Sequence, residues 1–582
     1  MECRLQAAAA MSNLRLFRAS PLSRHPRFFL RKVAQRLGLT PPNPLPPTPP
    51  VTAVQYPPHW APQLREWLAQ VPLNPPPPFA RVFGHDFVEG LLLQLCREGP
   101  RRGARDLTAD IKLIWDYSRG HPLVAHAAAG PAQLDVCVAF LQRWLAANRD
   151  FRGPAWSCPM DLAIRAVNWV CADALFDGAL RARIGEAEWA GLLWQHGWLT
   201  WQRLEALLVS SNHYLSNLLG LFVLGTIFPN DPTARGWRQL AENDFPRALL
   251  AQTRPDGGLY EASLRYHAYV TEMALLFRLA QGRPFPPPAE ARLRAMCRIV
   301  ADFQDATGDV FPFGDDDSGR VLAVDFAARE GRAAILLRLA TMLLWEDFSP
   351  AAEAMCPDSG WWMRRAGEFT VALEFGGVGF HGQGGHAHND DFSVALDWRG
   401  KPVITDPGTY IYTADPAARN RFKSTFAHNT LVLDELEQRP LTDEPFELRG
   451  RDAAFPAERL GTEGWAFTRP LGEGVFHRRE VRVQGGEIQL QDIVTGAGPH
   501  RLQWRFCLHP AVRPTLTPQG FLLQVPDAGT LLLDTNLPAS ACKIVPAEYS
   551  RAYGWNEPTL ACVASGEFTL PAAAEWRLRP AE

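Results

Sequence analysis

The stretch Gly385-His386-Ala387-His388-Asn389-Asp390-Asp391-Phe392 gathers the side chains best suited to chemistry in this chain. Of the two histidines at i and i+2, His386 is expected toward a cleft and His388 toward the interior. Asp406 ends the stretch Gly400-Lys401-Pro402-Val403-Ile404-Thr405-Asp406, and His428 lies in Ala427-His428-Asn429-Thr430, each beside an apolar, strand-like run. Two imidazoles and a carboxylate from three strands form a donor set for zinc, mainly structural in role, with water or another side chain as fourth ligand. A single histidine beside a Gly-rich turn is more often a satisfied polar group, so this reading rests on the three together.

Three stretches nearer the N-terminus carry polar groups that packing does not require. Ser210-Ser211-Asn212-His213-Tyr214 opens a helix; capping accounts for Ser211 or Asn212 but not for His213. Asp256-Gly257-Gly258 opens with a turn and leads into another expected helix carrying Tyr260, Glu261, Tyr266 and His267, with Arg265 among them. Phe313-Gly314-Asp315-Asp316-Asp317-Ser318-Gly319-Arg320 reads as a loop of acidic acceptors, with calcium as a weaker alternative because EF-hand spacing is absent. Tyrosine, histidines, asparagine and arginine without a carboxylate pair suit proton abstraction beside a carboxylate better than glycoside hydrolysis. In β-elimination on a uronic acid, donors such as Asn212 and His213 neutralise the carboxylate so that the C5 proton becomes acidic. A Tyr or His removes that proton, and another protonates the departing C4 oxygen.

These groups must be held by more than one unit, because a chain of 582 residues, 47% hydrophobic, exceeds a single compact core. Residues 1–57 are a basic, Pro-rich arm expected to run extended over the surface. From 58 to 350, apolar residues recur at i, i+3 and i+4 with Pro or Gly between segments, predicting helices such as Leu134 to Ala147, Met160 to Phe176, Glu186 to His196 and Tyr214 to Phe228. Such an array of antiparallel hairpins curls into a superhelix or toroid. Its stripe of Trp144, Trp156, Trp169, Trp189, Trp194, Trp198 and Trp201 is expected to be core. After Pro350 the period falls to 2, in segments such as Phe369 to Phe375, Phe392 to Trp398 and Gly520 to Val525, predicting an antiparallel β-sandwich over 360–582. The fold class expected is α+β and multidomain.

The formal charge of −3 excludes a broadly positive nucleic-acid or membrane-surface binder. No apolar run reaches the ~18 residues of a membrane span. Ten cysteines without a CxxC pair indicate neither thiolate zinc nor a redox motif. The N-terminus lacks the uninterrupted apolar core of a secretory signal.

Over roughly residues 150 to 510 the chain resembles the heparinase II/III-like polysaccharide lyases, which include alginate lyases of similar build. The resemblance is carried by Trp156 with Met160-Asp161 through Arg165, Asn168 and Trp169; by Asn212-His213; by Asp256-Gly257 through Glu261 and Tyr266; and by Phe313-Gly314-Asp315 through Arg320. The stretch from His386, His388 and Asp390 through Asp406-Pro407-Gly408-Thr409 to Ala427-His428-Asn429-Thr430 is its most specific part. It implies an incomplete (α/α) toroid followed by an antiparallel β-sandwich, with an acidic polysaccharide in the cleft between them. Tyr266 and His386 would be acid and base, Tyr266 favoured as proton donor and His386 as base from the other face. For Tyr266 itself to act as base, Arg265 or a His must lower its pKa. Asn212 and His213 would neutralise the carboxylate, Arg265, Glu261 and Arg320 would bind substrate, and His388, Asp406 and His428 would match the family's zinc ligands. A cell-envelope or periplasmic location is implied, while the missing signal leaves the cytoplasm open. The alternative is a non-catalytic carbohydrate-binding or exopolysaccharide-assembly protein of the envelope with the same fold.

Overall fold

The computed structural model describes residues 45–207 and 209–581. Most of the basic arm lies outside the described residues. Its end, 45–57, has neither helix nor strand and is tied down where Gln55 N–H donates to Ile227 O and the Tyr56 hydroxyl donates to Asp173 at 2.6 Å.

Helices run from Trp60–Leu68 to Arg332–Leu344. Among the described residues only the two-residue strands Arg81–Val82 and His85–Asp86 interrupt them before Glu353. The predicted segments appear as Leu134–Ala147, Pro159–Leu175, Glu186–Gln202 and Asn212–Ile227. Trp144, Trp169 and Trp189 are buried in the core, while Trp198 and Trp201 are half-buried at its margin. Serine caps start two of the helices that carry polar groups. Ser211 accepts from His213 N–H at the start of Asn212–Ile227, and Ser263 accepts from Tyr266 N–H at the start of Leu264–Gln281. Each cap satisfies an orphan donor of the first turn and fixes where that turn begins.

The second half is a β-sandwich. Five strands, Glu353–Cys356, Trp361–Ala366, Phe369–Glu374, Val394–Trp398 and Lys401–Ile404, form an antiparallel meander. A ten-stranded antiparallel sheet, built around the long strands Glu487–Cys507 and Glu557–Pro580, covers one of its faces. The smaller sheet is buried on both sides. Trp362 and Leu396 pack against Phe467, Trp504 and Trp576 of the larger sheet, whereas Trp361 and Met363 pack against Leu264 and Ala268 of the helical half. Successive side chains on a strand face opposite ways, so one strand serves both contacts. This corrects the half-buried reading of Phe392 to Trp398: every residue of Val394–Trp398 is buried, including Asp397, which accepts from Ala306 N–H at 2.6 Å.

Among the described residues no helix is long and apolar enough to cross a membrane.

The helix bearing Asn212 is positioned by a close approach. A Cβ on Gly220 would meet Ala163 Cβ of Pro159–Leu175 at 2.6 Å, closer than side chains tolerate. Gly220→Val is therefore expected to cost about 1–3 kcal/mol through overpacking, read as a lower thermal midpoint, and an unchanged midpoint would show that the two helices can part freely.

Candidate functional site

The chemistry-bearing loops meet because of strand pairing. Leu396 faces Ile404 across an antiparallel ladder, so the residues preceding Val394 and those following Ile404 lie at one end of the sheet. The Asn429 amide fastens a third loop there, donating to Val394 O at 2.8 Å and to Thr405 O at 2.9 Å. His386, His388, Asp406 and His428 are thus loop residues at strand ends rather than strand residues.

Asp315 is the centre. It is fully buried, and Arg419 grips it through two donors at 2.5 and 2.7 Å. His386 Nδ1 lies 3.0 Å from its Oδ2 and His388 Nε2 lies 2.8 Å from its Oδ1. Burial alone would raise this carboxyl, but Arg419 and the two imidazole hydrogen bonds hold it well below the usual range. The two histidines do part company as expected, His386 lining a cavity and His388 facing inward, yet both lean on this one carboxylate.

The cavity, about 410 Å³, lies between the helical half and the β-sandwich. Tyr266, His386, His213 and Tyr412 all face it. Tyr266 and His386 do not stand on opposite walls; their rings stack with centroids 3.8 Å apart. The Tyr266 and Tyr412 hydroxyls are 3.2 Å apart, and the Arg419 guanidinium sits over the Tyr412 ring at 4.9 Å. Burial, with the charge of Asp317 and the neighbouring Tyr412, pushes Tyr266 well above its ordinary value. Arg265, expected to lower it, is turned away, bound to Asp309 at 2.5 Å and Asp305 at 3.1 Å. Tyr266 is accordingly protonated at neutral pH.

His213 has the opposite character. Burial would pull it down, but Glu205, whose Oε1 lies 2.8 Å from Nδ1, raises it to about 8. It is an imidazolium at pH 7, with 37% of its side chain exposed. Its neighbour Asn212 is buried and does not line the cavity. Asn212 gives its backbone N–H and side-chain amide to Glu261 at 2.7 and 2.8 Å, while Glu261 Oε2 also lies 3.5 Å from His386 Nε2.

His388, Asp406 and His428 converge, with ligand atoms within 4.8 Å of one another. Asp406 Oδ2 holds His428 Nδ1 at 2.8 Å, leaving His428 Nε2 sealed from solvent without a partner among the described residues, and His388 Nδ1 is in the same condition. Two orphaned buried imidazole nitrogens beside a carboxylate fit a bound metal ion.

Three residues expected at the substrate are placed otherwise. Arg265 and Arg320 are buried among Asp305, Asp309, Asp316 and Asp325, and neither lines the cavity; Glu261 is spent on Asn212 and His386. The acidic loop likewise uses its charges on protein cations, Asp315 on Arg419 and Asp317 on Lys112, rather than offering them to calcium. Sequence reasoning missed Glu205, Tyr412 and Arg419. Only Tyr412 had a local signal, lying two residues beyond Tyr410 in the glycine-anchored run Gly408-Thr409-Tyr410; the others act across the fold.

Family models for the heparinase II/III N-terminus and for "Heparinase II/III-like, C-terminal" match residues 204–301 and 349–576. No curated protein matches the chain. Among solved structures, heparinase III superposes with a TM-score of 0.65 at 14% identity, covering 97% of this chain and 93% of that one. A mutant of the heparan sulfate lyase HepC from Pedobacter heparinus gives 0.55 at 16% identity, covering 89% and 88%. Identities this low speak for the fold, an incomplete (α/α) toroid joined to an antiparallel β-sandwich. With both halves matched by the family's models, the chain belongs to the heparinase II/III-like family of polysaccharide lyases.

Proposed function

We propose that the protein cleaves a uronate-containing polysaccharide by β-elimination. The observation that carries this is the opening of a protonated tyrosine, a carboxylate-oriented histidine and an imidazolium onto one cavity. His213 receives the substrate carboxylate and stabilises the charge that grows on it as C5 loses its proton. Asn212, fixed by Glu261, positions the turn that presents His213. His386, oriented through Nδ1 by Asp315, takes the C5 proton, as an imidazole does when a carboxylate fixes its ring. The electron pair forms the C4–C5 double bond, the C4–O bond breaks, and Tyr266 gives its proton to the departing oxygen. Stacked rings bring acid and base from the same side of the sugar, which favours removal of groups that share a face.

Apart from His213, the lysine and arginine lining the cavity are already committed. Lys112 is 2.9 Å from both Asp116 and Asp317, and Arg119 is 2.6 Å from Asp161. This balance suits one carboxylate at the reacting sugar rather than a sulfate-dense chain. Such polymers are met at the cell envelope or in the periplasm, and the reading carries that location with it.

Ultraviolet absorbance of the conjugated product over alginate, heparan, hyaluronan and bacterial exopolysaccharides tests the reading. Activity is expected on a lightly sulfated or unsulfated uronate polymer, and Tyr266→Phe is expected to lower kcat by about 100-fold or more. Silence on every uronate polymer would overturn the lyase reading and leave the binding or assembly alternative. Full activity in Tyr266→Phe would assign the acid elsewhere.

His213 sets a pH dependence. Its raised value means the carboxylate-binding cation is present below about 8 and lost as pH rises through it. The alkaline fall of kcat/KM is therefore expected near that pH, and Glu205→Gln should move it lower; a limb that stays put in Glu205→Gln would exclude His213 as its source.

We also propose that zinc is the ion for His388, Asp406 and His428. Bound there, it supplies cross-linking of three loops beneath the cavity, with no part in proton transfer. Metal analysis of purified protein should find bound zinc, lost in His428→Ala together with a lower thermal midpoint. Wild-type protein free of zinc after expression in zinc-replete medium would remove the idea.

A further inference from the structure

The helix Pro416–Lys423, whose Arg419 reaches Asp315, also sends Arg421 and Phe422 to a second pocket of about 320 Å³ on the β-sandwich. Phe426, Pro546, Glu548 and Arg505 complete the part that matters. Trp504 and Phe506 point into the core between the sheets, so strand alternation turns Arg505 to the outer face, into this pocket. Its two cationic walls are not equivalent. Arg421 is satisfied by both oxygens of Glu548, at 2.9 and 3.1 Å, and Asn556 takes the same carboxylate at 2.7 Å. Among the described residues Arg505 has no hydrogen-bond or ion-pair partner, and its Nε is sealed from solvent.

The Nε is withdrawn from water without an acceptor, which is costly, while the terminal nitrogens, unpaired with any described residue, stay open to an anion entering the pocket. Burial accordingly pulls Arg505 below its ordinary value. The charges of Arg421 and Glu548 cancel, so the pocket is left with one uncompensated positive charge. The planar fork of Arg matches a carboxylate through two parallel hydrogen bonds. Beside it the half-buried Phe426 offers an apolar surface of the kind the C–H face of a pyranose covers. Lys543 lies in the same cross-strand row, opposite Val563, which is itself opposite Arg505, and adds an exposed positive charge on that face. We propose that this pocket is a second, non-catalytic subsite that binds an acidic sugar residue through its carboxylate, with Arg505 as the recognising group.

The proposal does not depend on turnover, and its test uses binding alone. The full chain carrying His213→Ala, which removes the imidazolium of the catalytic cavity, is titrated calorimetrically with glucuronate, glucose and inorganic sulfate. Glucuronate is expected to bind, glucose not, and adding Arg505→Gln is expected to weaken glucuronate by about tenfold or more. Because Arg505 makes no polar contact within the described chain, Arg505→Gln should leave the thermal midpoint in buffer unchanged or raise it. Glucuronate affinity that is the same with and without Arg505 would overturn the proposal. So would tight sulfate binding with glucuronate silent, which would mark an inorganic anion site. A midpoint several degrees lower in Arg505→Gln would show that protein groups hold Arg505, and would also overturn it. Wild-type protein silent on every uronate polymer, with Arg505-dependent glucuronate binding intact, would refute the lyase reading and leave this subsite standing.

Discussion

The two halves of this protein are held in working register by one buried carboxylate. Asp315 comes from a loop that closes the helical half, and everything that grips it comes from the β half: Arg419 by two donors, His386 by Nδ1 and His388 by Nε2. Taking an isolated charge out of water costs several kcal/mol, and only full pairing offsets it. Removing one partner of such a buried pair typically costs about 3–5 kcal/mol. The arrangement is therefore close to all-or-none. If the loop and the sheet end are not in place together, neither the cavity-facing histidine nor the inward one has its orientation.

The same logic explains why so many charges near the cavity are unavailable to a ligand. Arg265 and Arg320 share Asp309 and are further bound to Asp305 and Asp325, a cluster that knits the acidic loop to the first turn of Leu264–Gln281. Lys112 and Arg119 are bound to Asp116, Asp161 and Asp317 on the opposing wall. These networks give the site a fixed shape. What remains free to act are the groups with unequal surroundings: Tyr266, kept protonated by burial and neighbouring negative charge, and His213, kept cationic by Glu205. Environments that push titratable groups apart are what allow acid and electrostatic roles to coexist at one pH.

Period and composition alone determined the two-part architecture: a 3.6-residue repeat of apolar positions through the Trp-rich helices, then a 2-residue repeat to the C-terminus. The helix start near Asn212 was legible because Ser211 is a cap, a local chemistry that needs no distant partner, whereas the helix read as carrying Tyr260 and Glu261 begins only at Leu264, after the Ser263 cap. The grouping of His388, Asp406 and His428 was legible as well, since two imidazoles and a carboxylate beside apolar runs have few other uses. Only the tertiary structure decided what each charge does. Arg265 beside Tyr266 in sequence points away from it, because adjacent positions on a helix lie about 100° apart and the carboxylates of a distant loop claim it. Glu205, Arg419 and Asp315 acquire their roles across separations of 8 to 104 residues, from partners that no local pattern names. The alternation of Val394–Trp398 misled for a related reason: a strand covered on both faces no longer needs a wet side, and that second cover is supplied by helices far away in the chain.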